Sequence, residues 1–383
     1  MFDERYSLLR GGMLYRATHL GRLHKQGWMA PPVAIALLLI VLLPTVVLSA
    51  MDGTLLGGGV QIPLVRDYTV WARFVLAMPL LVLAVPVADE RLWRAMHHLH
   101  GLVTPDDRAR FEQVLERVRR WRDSVVPELI LFVLAIGGSL TLAPLDVFKA
   151  VTDWRDGGGQ ALSPAGLWLH WVGMPVFRFL FLVWTWRFVL WVCLLWRFSR
   201  LRLTLYASHP DGHGGLGFLG FAQAAFIVMP TVGSLLLCGS LAMEITYLHV
   251  TLHSLRYVLL GYVVLSLLVM IAPLALFVPG LSALKRASMM TYGVVGTDCA
   301  EQFDKNWISR ERGEARPILQ AGDSSALADY TAVYTTVSTM VVLPIQRYVL
   351  ISFIVASVAP LLPLALLVMP VDEILDKLLS SMV

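Results

Sequence analysis

Residues 168–198 read "WLHWVGMPVFRFLFLVWTWRFVLWVCLLWRF". A helix needs roughly 20 apolar residues, rising about 1.5 Å each, to cross the hydrocarbon core of a bilayer. This run is long enough, and its tryptophans fall where an amphipathic ring favours the membrane–water boundary. Trp168 and Trp171 stand at one end, Trp191 and Trp196 at the other. Two arginines interrupt it. Counted from the ends, Arg178 falls near mid-bilayer and Arg187 about a third of the way in from the basic end. A charge at that depth is costly and turns toward the bundle interior, a water-filled cavity or a partner. The two lie on nearly opposite faces and form no voltage-sensor ladder. They are binding candidates, with a structural ion pair to Glu128, Asp146 or Glu244 as the competing reading.

Working outward, six more stretches qualify as spans: about 31–50, 71–88, 128–146, 216–243, 255–278 and 343–369. The chain is 57% hydrophobic and 15% charged, against about 25% charged in soluble domains. Its mean hydropathy is +0.68. An excess of that size cannot be hidden in one water-soluble core and must face lipid. The expected fold is all-α and polytopic, with about seven transmembrane helices and a helical cytoplasmic extension. The first apolar run reads as a retained span, since Leu48 stands where a secretory cleavage site needs a small residue. Arg73, at the start of the second, is expected to snorkel toward the interface.

Direction follows from Lys and Arg in the connections. Segments 1–30, 89–126, 197–215 and 279–342 hold 22 of them, and the alternate connections hold 4. The expected organisation is a cytoplasmic N-terminal segment, 1–30, and a transmembrane domain, 31–278, carrying a cytoplasmic helical hairpin at 89–126. A cytoplasmic helical segment, 279–342, and a last span with an external tail, 343–383, complete it. In the hairpin, "TPDD" (104–107) reads as a helix start capped by Thr104. Asp323 or Ser324 would cap the helix leading to the last span.

Between the fourth and fifth spans lies "HPDGHGG" (209–215). Three readings are open. His209, Asp211 and His213 could offer metal ligands, joined by His97, His98 or His100, although the spacing matches no recognised zinc pattern. Gly212, Gly214, Gly215 and Gly217 could present backbone N–H groups to a phosphate or other anion, with Arg197, Arg200 and Arg202 just before them. Or Pro210 and the glycines build a tight turn while Asp211 caps the fifth helix. In the fifth span Gly220, Ala224 and Ala225 permit close helix contact, and Gln223, Thr231 and Ser234 are polar at membrane depth, so the helix lines either a packed interface or a pore. Prolines at 44, 79, 175, 230, 273, 360 and 363 predict broken helices. On the outer side Glu244, His249 and His253 cluster, and the histidines could share a metal if that segment is helical. The three cysteines, Cys193, Cys238 and Cys299, have no disulfide or redox spacing.

Four stretches taken together resemble a family of uncharacterised bacterial integral membrane proteins: "HPDGHGGLGFLG" (209–220), "FDKNWI" (303–308), "SSALADY" (324–330) and "PLLPLALLVMPVDEILDKLL" (360–379). Its members carry an HPD-x-x-GGLGFL turn and a closing PLLPLLL-type span. Ala326 interrupts the family's S-L-A-D motif. The resemblance implies a bacterial inner (cytoplasmic) membrane location and brings no activity with it. No Walker, kinase or hydrolase signature is present. The residues favour a channel- or transporter-like protein passing a small solute or ion, an anion by preference. A lipid-headgroup-binding enzyme or regulator, or a membrane scaffold, is the alternative. Expected partners are membrane lipids, anionic ones included, and further copies of the chain. Nucleic acid, a metal or a cofactor is not expected.

Overall fold

Proline placement explains where the helices depart from regular geometry. A proline has no N–H, so the carbonyl four residues earlier must find another donor, and one solution is a locally wider or tighter turn. Pro79 follows a π-helical stretch, Trp71–Ala77. Pro175 follows another, Leu169–Gly173. Pro230 follows a 3-10 turn, Ala224–Phe226. The sequence-based expectation of broken helices holds at these three positions, each break being continuous with its helix, whereas Pro44 and Pro273 lie inside uninterrupted α-helices.

These features belong to a computed structural model that describes residues 30–57, 59–141, 151–156, 162–308 and 322–368. Expectations for segment 1–29, Asp146, the run 309–321 and the tail from 369 lie outside the described residues, as do the side chains of Asp323 and Ser324. The described residues are mainly helical and form no strand beyond two isolated β-bridges. The membrane-length helices are α1 (Ala30–Met51), α2 (Tyr68–Leu102), α5 (Pro164–Phe198), α6 (Phe218–Leu248), α7 (Arg256–Ala275) and α10 (Arg347–Leu367). Between α2 and α5 lie the charged helix α3 (Arg108–Asp123) and the apolar helix α4 (Val125–Thr141), bent 44° from one another. Counting α4 as a crossing gives seven spans. The hairpin α8 (Val278–Phe303) and α9 (Gly322–Thr339) follows α7.

The order of burial sets the architecture. Half of α6 is buried, against 17% of α7, so α6 is the central post and α7 a peripheral one. Around α6 stand α2 and α10; α5 packs on α2, α3 and α4. Trp184, Trp191, Phe198 and Phe226 fill the interior. On α4, Leu129, Ile130, Phe132 and Val133 point outward, as a lipid-facing helix requires.

Contacts between connections sort into two sets. In one, Val103 bridges to Leu203, Asp107 Oδ2 accepts from Arg202 N at 2.9 Å, and Val341 N donates to Gly212 O at 2.9 Å. In the other, Ile62 N donates to Thr152 O at 3.1 Å and Trp154 N to Ile62 O at 3.0 Å, while Tyr247 Oη reaches Arg66 O at 3.4 Å. The first set joins only the Lys/Arg-rich connections, and the second only the poor ones. These contacts group the connections in the same way as the charge count does. One local expectation fails. Thr104 precedes the turn Pro105–Asp107 without a side-chain cap; the buried carboxylate of Asp107 makes the tie instead, holding Arg202 across to the next connection.

Candidate functional site

The turn at 209–217 is closed on itself. Asp211 Oδ1 accepts from His213 N (2.8 Å) and Gly215 N (3.1 Å), and Oδ2 accepts from Gly217 N (2.9 Å). His209 Nδ1 lies 2.9 Å from Oδ1. Gly212, Gly214 and Gly215 supply the left-handed φ angles of +67°, +67° and +94° that turn the N–H groups inward. Burial alone would raise the Asp211 carboxyl, but those N–H donors and His209 outweigh it and hold it below the usual range. The nest that a phosphate would need is filled by the chain's own carboxylate. The anion reading of the glycines is thereby corrected: the N–H groups of Gly215 and Gly217 face an internal anion, and Gly214 contributes its left-handed backbone turn. Arg200 stacks on Trp196 at 4.0 Å, and Arg197 stays in the last turn of α5.

The turn is a joint between helices. His213, buried, has Nδ1 3.2 Å from Val341 O, Gln346 Nε2 donates to Gly217 O at 2.5 Å, and Lys285 Nζ donates to Met340 O at 2.8 Å. Asp211 organises the loop ahead of α6, where the sequence suggested a cap. Among the described residues no three His, Cys, Asp or Glu side chains stand where they could share a metal. His98 packs on Phe218 instead, with ring centroids 5.4 Å apart. The histidines at 249 and 253 lose their condition too. α6 ends at Leu248, His249 takes φ +53°, and its N–H and that of Val250 return to Glu244 O. Glu244 thus ends a helix by its backbone, and His253 Nε2 sits 2.9 Å from Arg256 Nη1.

The polar residues of α6 serve packing. Gln223 is fully buried, accepting from Trp191 Nε1 at 2.7 Å and donating to Met270 O at 2.8 Å. Ser234 donates to Ser357 O at 2.7 Å. Tyr262 Oη donates to Pro230 O at 2.5 Å. Gln223 therefore ties α5, α6 and α7 together and lines no pore. Arg187 is buried on α5 with Glu128 of α4 and Asp89 of α2 in electrostatic range, which realises the ion-pair reading for that residue.

Arg178 follows a different course. Its Nη1 donates to Ser139 Oγ at 2.8 Å and lies 3.5 Å from Ala135 O, against the face of Gly138. Ser139 in turn donates to His170 O at 3.0 Å, and His170 Nε2 lies 2.8 Å from Ser139 O. Neither Glu128 nor Glu244 pairs with Arg178 among the described residues. Arg73, on the π stretch of α2, lies partly buried against α5, with Nη1 3.3 Å from Met174 Sδ and the guanidinium 5.8 Å from the Phe177 ring centre. The two π stretches meet there: Phe74 and Phe177 stack edge-on at 6.3 Å, and a Cβ on Gly173 would come within 3.4 Å of Phe74. Arg155 and then Asp67 act on the Arg73 charge more strongly than Arg178 does, Arg155 and Arg178 as repelling charges and Asp67 as an attracting one.

Just above them sits a group with no signature in the sequence. Asp67, 1% exposed, accepts from Thr69 N (3.0 Å), Thr69 Oγ1 (2.5 Å), Val70 N (3.3 Å), Trp154 Nε1 (3.0 Å) and Arg155 Nη2 (2.6 Å). Burial would raise its carboxyl; Arg155 first, then the other donors, bring it below the usual range. Next to it, burial pushes the Asp153 carboxyl up to about 6, with Arg155 offsetting part and the hydrogen bond to Asp156 adding to the rise. Only the Asp-x-Thr helix start at 67–69 was visible in sequence, since Trp154 and Arg155 lie 87 and 88 positions away.

Fold and site together define a multi-pass α-helical membrane protein, with Arg73 and Arg178 on two of its membrane-length helices. No protein-family model, curated protein or solved structure matches this chain.

Proposed function

We propose that the protein passes a small anion across a bacterial inner membrane, with its N-terminus in the cytoplasm, and that Arg73 and Arg178 engage the anion. One observation carries this reading. Two guanidinium groups on adjacent spans, close enough to repel, are held by a thioether, an aromatic ring, a hydroxyl and a backbone carbonyl. Ionised groups in hydrocarbon normally meet a counter-charge. Here Asp67, the carboxylate that attracts Arg73 electrostatically, makes no direct bond to it and is already bonded to Arg155, Trp154 and Thr69. An anion arriving between α2, α4 and α5 would relieve the mutual repulsion of the pair. π-helical segments, which recur at functional sites, flank the place on both spans.

Arg178 is partly exposed at the edge of the bundle beside α4. A second copy laid over that edge would enclose the route, so a homo-oligomer is part of the proposal. The competing idea of a phosphate held at the glycine turn loses its donors to Asp211. Proteoliposomes loaded with chloride, nitrate or phosphate provide the test. Wild-type protein releases at least one of these anions. Arg178→Gln and Arg73→Gln each lower the rate about tenfold or more, the loss of about 1.4 kcal/mol, and the lysine variants retain part of it. No release of any of the three anions by wild type, or wild-type rates in both glutamine variants, would overturn the reading.

A further inference from the structure

Where α2 passes from its apolar run into "DERLWR" (89–94), a groove of about 390 Å³ opens on the outside of the bundle, lined by Pro86, Val87, Glu90, Arg91, Arg94 and Phe221. Its two halves differ in chemistry. Pro86, Val87 and Phe221 form an apolar wall, and Val87 is 56% exposed, as a side chain against acyl chains would be. The other half holds two arginines and one glutamate. Arg94 Nε bonds Glu90 Oε1 at 2.9 Å in an exposed pair, which leaves Arg91 as net positive charge. Among the described residues no carboxylate pairs with Arg91.

Arg91 is held in place before any ligand arrives. Its Nη1 donates to Ala224 O at 2.7 Å, and the guanidinium lies 5.2 Å from the Phe221 ring centre. One of five N–H donors is used by that bond, and the planar group keeps a fork that suits phosphate oxygens. The groove stands where hydrocarbon gives way to headgroups. A soluble anion would find the charge but gain nothing from the apolar wall, whereas a phospholipid uses both. We propose that this groove binds an anionic phospholipid, its phosphate on Arg91 and Arg94 and an acyl chain along Pro86, Val87 and Phe221. The inference is independent of the Arg73–Arg178 reading, which concerns the opposite half of the membrane.

The site has a mechanical consequence. Ala224 O belongs to the 3-10 turn that divides α6, the central helix. A lipid that fixes Arg91 also fixes that break, so occupancy stiffens the bundle. The test uses the full-length protein in mild detergent, examined by native mass spectrometry and thermal melting with phosphatidylglycerol, phosphatidylcholine or inorganic phosphate added. Phosphatidylglycerol is expected to remain bound and raise the melting temperature, and phosphatidylcholine to do neither. Arg94→Gln, on the surface and safe for folding, weakens retention about fivefold, the worth of one basic side chain near an anionic surface. Val87→Trp fills the groove, keeps both arginines and abolishes retention, while Arg200→Ala changes nothing. Equal retention of both lipids, or wild-type retention in Arg94→Gln and Val87→Trp, would overturn the proposal. So would a melting shift reproduced by inorganic phosphate alone, or a Val87→Cys disulfide dimer carrying no lipid, which would assign the groove to a second copy.

Discussion

At the scale of residues, two aspartates behave oppositely because their surroundings differ in donors. Asp211 is wrapped by three N–H groups that have no other acceptor. Asp211→Ala strands them and is expected to cost about 2–3 kcal/mol, read as a lower melting temperature. Formate added to the variant should recover part of the loss by refilling the nest. Asp153 is half-buried beside Asp156, and burial raises its value and reverses the usual sign. A group that binds its proton more tightly when folded, with a value of about 6 against about 4 unfolded, favours the fold at low pH. That contribution fades as pH rises from about 4 through about 6. Asp67, held low, contributes above about 4 and is lost only as pH falls through its depressed value. Asp153→Asn should therefore remove the decline in melting temperature between pH 4 and 6 and leave the acid-side loss, due to Asp67, in place.

At the scale of elements, close approach decides what the helices tolerate. A Cβ on Gly220 would stand 2.8 Å from Gln346 Oε1 and 3.1 Å from Ile345 Cα. The first contact belongs to a side chain able to move; the second is backbone. Gly220→Val is expected to push α6 from the segment before α10 and lower folded yield sharply, with Gly220→Ala intermediate, as measured by monodisperse recovery in detergent. Gln223→Leu should cost about 1–3 kcal/mol, because Trp191 Nε1 is left buried without its acceptor and Met270 O loses the amide donor. The contact made by Gly220 was legible in sequence, since small residues on an apolar helix have few other uses. The direction taken by Arg73 was not. A basic residue six positions after Asp67 reads as an interface anchor, and nothing local shows that the fourth span brings Met174 and Phe177 beside it. The seven apolar runs were legible for a simpler reason: bilayer thickness fixes their length, whatever they pack against. The closing of the glycine nest by Asp211 was half legible, because Asp-Gly turns and phosphate cradles use the same residues and differ only in which anion fills them.

At the scale of the whole molecule, sidedness and charge together set what the protein can do. Connections rich in Lys and Arg touch one another, connections poor in them do likewise, and α2, α5 and α6 run between the two layers. With the basic layer in the cytoplasm, a cysteine placed at Gly212 should resist a membrane-impermeant thiol reagent in intact cells, and one placed at Gln61 should react. Labelling in the reverse pattern would invert the map and move Arg73 and Arg178 to the cytoplasmic half. The anion claim itself is met most directly by the reversal potential of the purified protein in a planar bilayer under a potassium chloride gradient. A reversal potential near the chloride equilibrium value, moving toward zero in Arg178→Gln, is the predicted result. A value near the potassium equilibrium, or no current at any applied voltage, would contradict it.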